Sequence, residues 1–398
     1  MSEFPISASS VPSPAPGPRA AHERPATPRT AGTALRRRLA ELRGPDVPAQ
    51  PLDARALAAL AANPGCHRRA LLDGAGVPKA ELAHSLGAPS AFGQSQFAFM
   101  RGHAFEARVK ADGGAELLRL THARVGGGPE PVPGEASVPD LTAAGPQGRA
   151  GRTELALREA TAAGAWTLLD HPMLALDVAG TPAFLEPDAV VVAPDGTWTV
   201  VEIKSFPMID GSADAAKVGA AARQAAVYAL ALEDLAARLG DPAPRVRHHV
   251  LLVCPKDFSN LPTASPVDIR KQLSVTRRQL SRLARVEDIA AALPPGTTFD
   301  VTRSAAELTA AVDAVPATYA PECLAACELA FHCRARARAE GEVTALGRSL
   351  RGELGALATV DQALAAARGE AGDPDDPAVA ALRRAGALRA EALAGRPG

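Results

Sequence analysis

The chain has 398 residues, of which 47% are hydrophobic, and its formal net charge is −1 at pH 7. This length and composition suffice for one large or two ordinary domains with a hydrophobic core. No apolar run approaches the roughly 18 residues of a membrane helix, and the N-terminal stretch lacks the apolar core of a signal peptide. The sequence therefore predicts a cytoplasmic protein with no membrane partner, and any nucleic-acid surface must be a local basic patch.

The N-terminal part of the chain changes from a polar leader to helices. Residues 1–50 are rich in Pro, Ala, Ser and Arg without a sustained hydrophobic period, which predicts a disordered leader with helical character only over residues 33–43. Residues 53–110 have a mostly helical pattern. Residues 125–152 are too rich in Gly and Pro for regular structure and predict a loop.

Strands and helices then alternate. A helix is predicted over residues 153–163, strands over 166–178, 183–193 and 197–206, a helix over 213–240, a strand over 245–255 and a helix over 267–293. This order is typical of an α/β core. Residues 339–398 are alanine-rich and predict a helical C-terminal extension with a tail.

Two opposite charges lie in the hydrophobic strand "TVVEIKSF", at Glu202 and Lys204. The preceding turn, "APDGT", predicts a three-residue hairpin loop in which Ala193 pairs with Thr197. Counting outward from that pair, Asp188 lies directly opposite Glu202. Lys204 shares the face of Glu202 because side chains alternate along a strand. The register therefore brings two carboxylates and one ammonium together.

Two carboxylates directly opposite each other on neighbouring strands indicate a metal site. Two carboxylates a few ångströms apart repel each other unless a divalent cation such as Mg²⁺ lies between them. A lysine beside such a cation can hold a phosphate oxygen or orient an attacking water, as metal-assisted phosphodiester hydrolysis requires. The alternative is a plain cross-strand ion pair between Lys204 and Glu202 at a sheet edge.

Pro187-Asp188 followed by Glu202-Ile203-Lys204 resembles the "PD…(D/E)xK" pattern of the restriction-endonuclease-like nuclease superfamily. The resemblance implies a mixed sheet flanked by helices and DNA as the substrate. It also implies Asp188 and Glu202 as ligands of Mg²⁺ or Mn²⁺, with Lys204 orienting water and stabilising charge.

Two further motifs are similar to the RecB-type branch of that superfamily. "QAAVY", with Gln224 and Tyr228, matches the Gln-x-x-x-Tyr that this branch carries on the helix after the lysine strand. The i, i+4 spacing places both side chains on one helix face, where they are expected to act as positioning groups. The branch also has a Gly-x-x-x-His metal-ligand motif. Here Gly102 is followed four residues later by Glu106, which suits a hard cation, whereas His103 is out of phase.

Four of the five cysteines flank the predicted core: Cys66, Cys323, Cys327 and Cys333. One early and three late cysteines resemble the iron–sulfur nucleases of the RecB type, namely the AddB nuclease domain and the CRISPR-associated exonucleases. That resemblance implies a [4Fe–4S] cluster on four thiolates that staples the two ends of the domain. Three residues separate the first two late cysteines where the family has two. A Zn²⁺ site that uses His67 or His332 therefore stays open, as do buried cysteines without a metal.

The sequence as a whole predicts a RecB-type nuclease domain over residues 54–338. We expect a metal-dependent DNA nuclease, an exonuclease, acting in DNA repair, recombination or phage defence. Its partners would be DNA and a helicase or another repair or defence protein, since the chain has no nucleotide-binding Gly-x-x-x-x-Gly-Lys motif of its own. The alternative is a non-catalytic DNA-binding or complex-forming module that keeps the nuclease fold. Residues 269–286 contain six basic and no acidic residues and are a candidate phosphate-backbone contact.

Overall fold

A computed structural model describes residues 28–89, 96–178, 181–239, 244–257, 259–281 and 286–394. The strands are β1 (Thr167–Asp170), β2 (Leu174–Val178), β3 (Thr181–Leu185), β4 (Ala189–Val192), β5 (Thr197–Ile203), β6 (Arg245–Val246), β7 (His249–Pro255) and β8 (Pro262–Asp268). The helices are α1 (Pro28–Arg43), α2 (Ala54–Ala62), α3 (His67–Ala75), α4 (Lys79–Ser85), α5 (Gln96–Val109), α6 (Ala111–Val125), α7 (Gly145–Ala163), α8 (Ala215–Arg238), α9 (Arg270–Leu280), α10 (Val286–Ala291), α11 (Ala305–Asp313), α12 (Ala330–Ala339), α13 (Arg348–Glu353), α14 (Val360–Arg368) and α15 (Pro377–Ala394). Short 3₁₀ segments cover Pro321–Ala325 and Val343–Leu346.

A mixed sheet forms the centre of the fold. Within the described residues it has six strands in the order β1-β4-β5-β7-β8, and β6 pairs with the start of β5. The β1–β4, β4–β5 and β7–β8 pairs are antiparallel, whereas β5 and β7 are parallel and are connected through α8. Strands β2 and β3 form a separate antiparallel hairpin. The α/β class and the mixed sheet flanked by helices are those that the sequence predicts.

The β4–β5 hairpin has the register predicted from its turn. The Ala193 N–H donates to the Thr197 carbonyl at 3.0 Å. Gly196 has φ +76°, a left-handed conformation that glycine adopts without a steric cost. Ala189 is opposite Val201 in the same ladder. One step further along, Asp188 lies opposite the residue after Val201, which is Glu202.

Both faces of the sheet are covered, which explains the continuous hydrophobic runs in its central strands. On one face, Val190, Val200 and other apolar side chains pack against α2, α3, α7 and α8. On the other face, Val191 and Val201 pack with apolar side chains of α5 and α6. Gly114, at the kinked start of α6, comes so close to Leu168 of β1 that a Cβ atom there would lie 2.2 Å from a leucine methyl carbon.

Within the predicted leader the structure describes residues 28–50, and the helix predicted over residues 33–43 lies within α1. Residues 28–43 form α1, and Leu42 near its end is fully buried. The Phe299 N–H donates to the Leu42 carbonyl at 2.6 Å, and the Gln50 N–H donates to the Gly76 carbonyl at 2.8 Å. Apolar burial and backbone pairing with distant segments therefore order this part of the chain. Residues 1–27 lie outside the described residues.

Other predicted elements differ in their boundaries. Two long strand predictions each divide in two, into β1 and β2 and into β3 and β4. Strand β8 has no counterpart in the sequence-based prediction, which assigned its last residues to a helix that begins only at Arg270. Helices α13 to α15 occupy the C-terminal extension. None of the helices in the described ranges is long and apolar enough to cross a membrane.

Candidate functional site

Asp188, Glu202 and Lys204 meet at the end of β5, as the hairpin register predicts. The Lys204 Nζ lies 3.3 Å from Asp188 Oδ2 and forms an ion pair with Glu202 Oε2. The backbone N–H of Ile203 donates to Asp188 Oδ2 at 2.7 Å. The Lys204 ammonium therefore bridges the two carboxylates.

The Glu202 carboxylate is the most deeply buried of these groups. The side chain of Glu202 is 1% exposed, whereas those of Asp188 and Lys204 are 25% and 24% exposed. Neither Glu202 oxygen has a hydrogen bond of normal geometry from the described residues, although Lys204 is in ion-pair contact. The pKa of Glu202 is raised to about 7, mainly because the carboxylate is buried. The Lys204 charge opposes this rise, and the Asp188 charge adds to it. Such a carboxylate is costly to bury, and the Lys204 ammonium beside it lowers that cost.

Lys204 remains charged in this setting. Burial alone would lower the pKa of Lys204, but the charges of Glu202 and Asp188 outweigh that effect and raise it. The lysine is therefore a fixed cation near neutral pH. It suits binding of an anionic oxygen better than proton abstraction.

Gln224 and Tyr228 lie one turn apart on α8 and contact each other. Gln224 Nε2 donates to the Tyr228 hydroxyl at 2.9 Å, and that hydroxyl donates to the Glu186 carbonyl at 3.1 Å. Burial raises the pKa of Tyr228, so its hydroxyl stays protonated and can donate. The pair therefore holds the backbone of Glu186, immediately before Pro187 and Asp188.

Glu106, near the end of α5, lies among cationic partners. Its Oε1 is 2.6 Å from Lys110 Nζ and 3.0 Å from His171 Nε2. The hydrogen bond from His171 lowers the pKa of Glu106, and the contact with Lys110 lowers it further. Together they outweigh the effect of burial and bring the pKa to about 2. Lys110 Nζ also lies 2.6 Å from Asp170 Oδ1. Glu106 is therefore a fixed carboxylate that is already neutralised within the protein.

His171 connects the Glu106 group to the turn before Asp188. Its backbone N–H donates to the Asp188 carbonyl at 3.4 Å, and its Nδ1 lies 3.7 Å from Glu186 Oε1. Arg149 donates to the His171 carbonyl at 2.9 Å and pairs with Glu186 at 3.0 Å. The sequence patterns do not indicate Lys110, Asp170, His171 or Arg149 as members of this group. Asp170 ends β1 and His171 follows it with a left-handed φ of +45°, so the signal in the sequence is a "DH" pair at a strand end.

As the side chains stand, no group of three or more His, Cys, Asp or Glu residues in the described ranges is arranged to hold a metal ion. Asp188 and Glu202 are held around the Lys204 ammonium, and Glu106 is held by Lys110 and His171. The donor set itself fits a hard divalent cation, because the carboxylates of Asp188 and Glu202 share one face and carboxylate oxygens are the ligands that such a cation prefers.

The four flanking cysteines gather at one end of the fold. Cys66 lies immediately before α3, and Cys66, Cys323 and Cys327 line one small cavity. Burial raises the pKa of Cys333 to about 12, and the neighbouring Cys327 and Cys66 add to the rise although Arg68 opposes it. All five cysteines of the chain are free thiols. The fifth, Cys254, is fully buried on β7.

The unusual spacing of the late cysteines has a simple structural basis. The Cys327 N–H donates to the Cys323 carbonyl at 2.8 Å, which closes a turn directly after the 3₁₀ segment. Both residues line the cavity in this arrangement. His332, the alternative zinc ligand, instead has its Nε2 3.3 Å from Asp313 Oδ1.

The basic segment after β8 is partly neutralised within the protein. Arg270 pairs with Asp268, and Arg277 pairs with Glu233 of α8. Two further arginines of this segment, at positions 282 and 285, lie outside the described residues. These ion pairs reduce the net positive charge of α9.

No protein-family model, curated protein or solved structure matches this chain. The geometry described above offers two groups of side chains as functional candidates, the Asp188–Glu202–Lys204 group and the four thiols.

Proposed function

We propose that this chain is a metal-dependent DNA nuclease of the PD-(D/E)xK superfamily, RecB type, with a restriction-endonuclease-like fold. The observation that carries the proposal is the buried Glu202 carboxylate, which lacks hydrogen bonds of normal geometry and lies with Asp188 and Lys204 at the end of β5. An ion pair at the protein surface would not need a carboxylate that is only 1% exposed. It would also not need a second carboxylate, Asp188, on the same lysine. A divalent cation accounts for all three side chains at once.

Each proposed catalytic group has a distinct role. Asp188 and Glu202 hold Mg²⁺ or Mn²⁺, which when bound activates water and stabilises charge on the phosphate. Lys204 keeps its charge and binds a phosphate oxygen or orients the attacking water. Tyr228, supported by Gln224, fixes the turn that aims Asp188 at the site.

Glu106 is the proposed third carboxylate of the metal site. Its link to the Asp188 turn passes through His171, which contacts Glu106 by its ring and Asp188 by its backbone. Glu106 is ionised at any pH above its pKa of about 2, so it needs no deprotonation before it acts as a ligand. Lys110 and His171 would have to release one of its oxygens.

The four thiols are the proposed holders of a [4Fe–4S] cluster. Cys66 comes from the start of α3, whereas Cys323, Cys327 and Cys333 come from the segment that follows α11. Four thiolates from the two ends of the domain would close the fold around the sheet. A structural Zn²⁺ remains the alternative occupant.

DNA is the proposed substrate, and exonuclease action with a helicase or another repair or defence protein is the proposed setting. Phosphodiester hydrolysis needs the charge distribution that Asp188, Glu202 and Lys204 provide. The non-catalytic alternative is favoured by one specific observation: Lys204, Lys110 and His171 already neutralise the three carboxylates. A module that only binds DNA would keep these ion pairs.

A cleavage assay with a charge-matched control separates the two. The full chain is incubated with end-labelled single- and double-stranded DNA in Mg²⁺ or Mn²⁺. Asp188→Asn should lower cleavage by about 100-fold or more, because it removes a charged ligand of the proposed metal ion that stabilises charge on the reacting phosphate. Asp361→Asn, an exposed change on α14, should cleave at the wild-type rate. DNA binding without metal-dependent cleavage in the wild-type chain would leave the non-catalytic module.

The cofactor is tested separately by anaerobic purification. A [4Fe–4S] protein should be brown, with visible absorption that bleaches in air, and should contain about four iron atoms per chain. A colourless protein with one zinc per chain would replace the cluster by the structural zinc alternative. A chain free of both metals would leave four buried cysteines.

A further inference from the structure

Three side chains around the first cysteine reach the three late cysteines. They belong to a short stretch that we call the donor segment, residues 63–69, with the sequence "NPGCHRR". The segment begins directly after α2 and contains Cys66 and the first residues of α3. The proposed cluster site would thus receive from this segment both a thiolate ligand and several N–H groups.

Each late cysteine has its own neighbour in this segment. Asn63 Nδ2 lies 3.5 Å from Cys323 Sγ, and Arg68 Nη1 lies 3.2 Å from Cys333 Sγ. The Arg69 guanidinium lies beside Cys327, and its Nη1 donates to the neighbouring Ala326 carbonyl at 2.6 Å.

The donors are fixed by further contacts, so they do not swing freely. Arg68 is 7% exposed, its backbone N–H donates to the Pro316 carbonyl at 2.9 Å, and its Nε donates to Val315 at 3.3 Å. Asn63 Nδ2 also donates to the Thr318 carbonyl at 2.7 Å. A guanidinium buried beside a sulfur is a directional donor, and it favours the negatively charged form of the sulfur.

From these contacts we propose that the donor segment is a preformed outer shell that positions the late thiolates for a metal centre. Arg68 is the positioning residue for Cys333. The inference rests on the proposed cofactor of the function above and adds the residues that orient its ligands. Outer-shell hydrogen bonds of this kind orient ligands and tune the bound metal.

Arg336 offers a matched control for Arg68. Both arginines pair with Asp313, Arg68 at 3.6 Å and Arg336 at 3.1 Å. Of the two, Arg68 also contacts a cysteine sulfur, whereas the side chain of Arg336 is 51% exposed. Replacing either one by methionine removes one partner of Asp313, but Arg68→Met also removes the donor to Cys333.

The experiment is a titration of the metal-free, reduced full chain with Co²⁺. Thiolate-to-cobalt charge-transfer absorption reports how many sulfurs bind, without any measurement of activity. Arg68→Met should bind Co²⁺ about 10- to 100-fold more weakly than the wild type and with a less intense charge-transfer band. Arg336→Met should stay within about twofold of the wild type in both respects.

A second readout follows the cluster itself. Each variant is reconstituted anaerobically with ferrous iron and sulfide, and the loss of visible absorption to an iron chelator is timed. Arg68→Met should lose its cluster about tenfold faster than Arg336→Met. If Arg68→Met does not fold, as judged by circular dichroism, Asn63→Ala tests the same shell at Cys323 and should also weaken Co²⁺ binding.

The outcomes separate this inference from the proposed function. Wild-type affinity and band intensity in Arg68→Met and Asn63→Ala overturn the outer shell and leave the cluster assignment intact. A wild-type chain that binds no cobalt and takes up no iron overturns the cofactor and the outer shell together. In both cases the nuclease proposal is decided independently by Asp188→Asn.

Discussion

Lys204 forms ion pairs with two carboxylates, the buried Glu202 and the partly exposed Asp188. The stability of a variant without this lysine distinguishes a metal site from a structural ion pair. Lys204→Met leaves the 1% exposed Glu202 beside Asp188 without its cation. We expect a loss of about 3 kcal/mol in the free energy of unfolding, as when one partner of a buried pair is removed. Urea unfolding measures the loss, and Lys256→Met, at an exposed lysine, serves as the control.

Added Mg²⁺ gives the second half of that measurement. If the carboxylates form a cation site, millimolar Mg²⁺ should return about 1–2 kcal/mol of stability to Lys204→Met, since a ligand that binds only the folded state stabilises it. The same addition should not change the stability of the double variant that combines Lys204→Met with Glu202→Gln. Equal stability of Lys204→Met with and without Mg²⁺ would indicate a structural ion pair.

His171 and Glu106 predict a pH dependence at the residue scale. The hydrogen bond that His171 donates to Glu106 raises the pKa of His171 above its ordinary 6.5, against the effects of burial and of the Lys110 charge. The stability contributed by charged His171 is therefore complete below pH 6.5 and is lost as the pH rises through the raised pKa. An NMR titration should show the pKa of His171 fall toward 6.5 in Glu106→Gln. An unchanged value would exclude this contact as the cause.

At the scale of elements, the β4–β5 hairpin loop determines which side chains face each other. Gly196 has φ +76°, so Gly196→Ala should cost about 1 kcal/mol of stability. Gly219 lies in α8 without a positive φ, and Gly219→Ala should stabilise the protein by about 0.5–1 kcal/mol. Thermal unfolding of both variants measures the two effects. A gain in stability in Gly196→Ala would contradict the turn geometry.

Much of this hairpin could be predicted from local sequence because turn chemistry fixes the register, and the register fixes which residues are opposite each other. Strand β8 could not be predicted in the same way, since Pro262 and Pro266 weaken its strand pattern and suit an edge position, which is where it lies. The contact of Lys110 with His171 joins residues 61 positions apart, and periodicity carries no information about such pairs. The Asp188–Glu202 pairing was therefore accessible to sequence reasoning, whereas the surroundings of Glu106 were not.

At the scale of the whole molecule, the described C-terminal helices are peripheral to the Asp188 site. Residues Val343 and Gly341 pair with the backbone around Ala358 and Val360, and α14 packs against α15. The elements that carry the site end at α8. A chain that ends after Gly341 should therefore cleave DNA within about twofold of the full-length rate, because separated sites act independently. A large loss of cleavage with intact circular dichroism would show that the extension contributes to substrate binding.

The hydrogen bond between Arg68 and Cys333 joins residues 265 positions apart. During synthesis, the strands of the central sheet leave the ribosome well before Cys323, Cys327 and Cys333 do. Cys66, Arg68 and Arg69 therefore have no late cysteine to contact until most of the polypeptide has been synthesised. Any metal delivered to this site would have to arrive after the core has been translated, because a chain interrupted before Cys323 would contain only Cys66 of the four proposed thiol ligands.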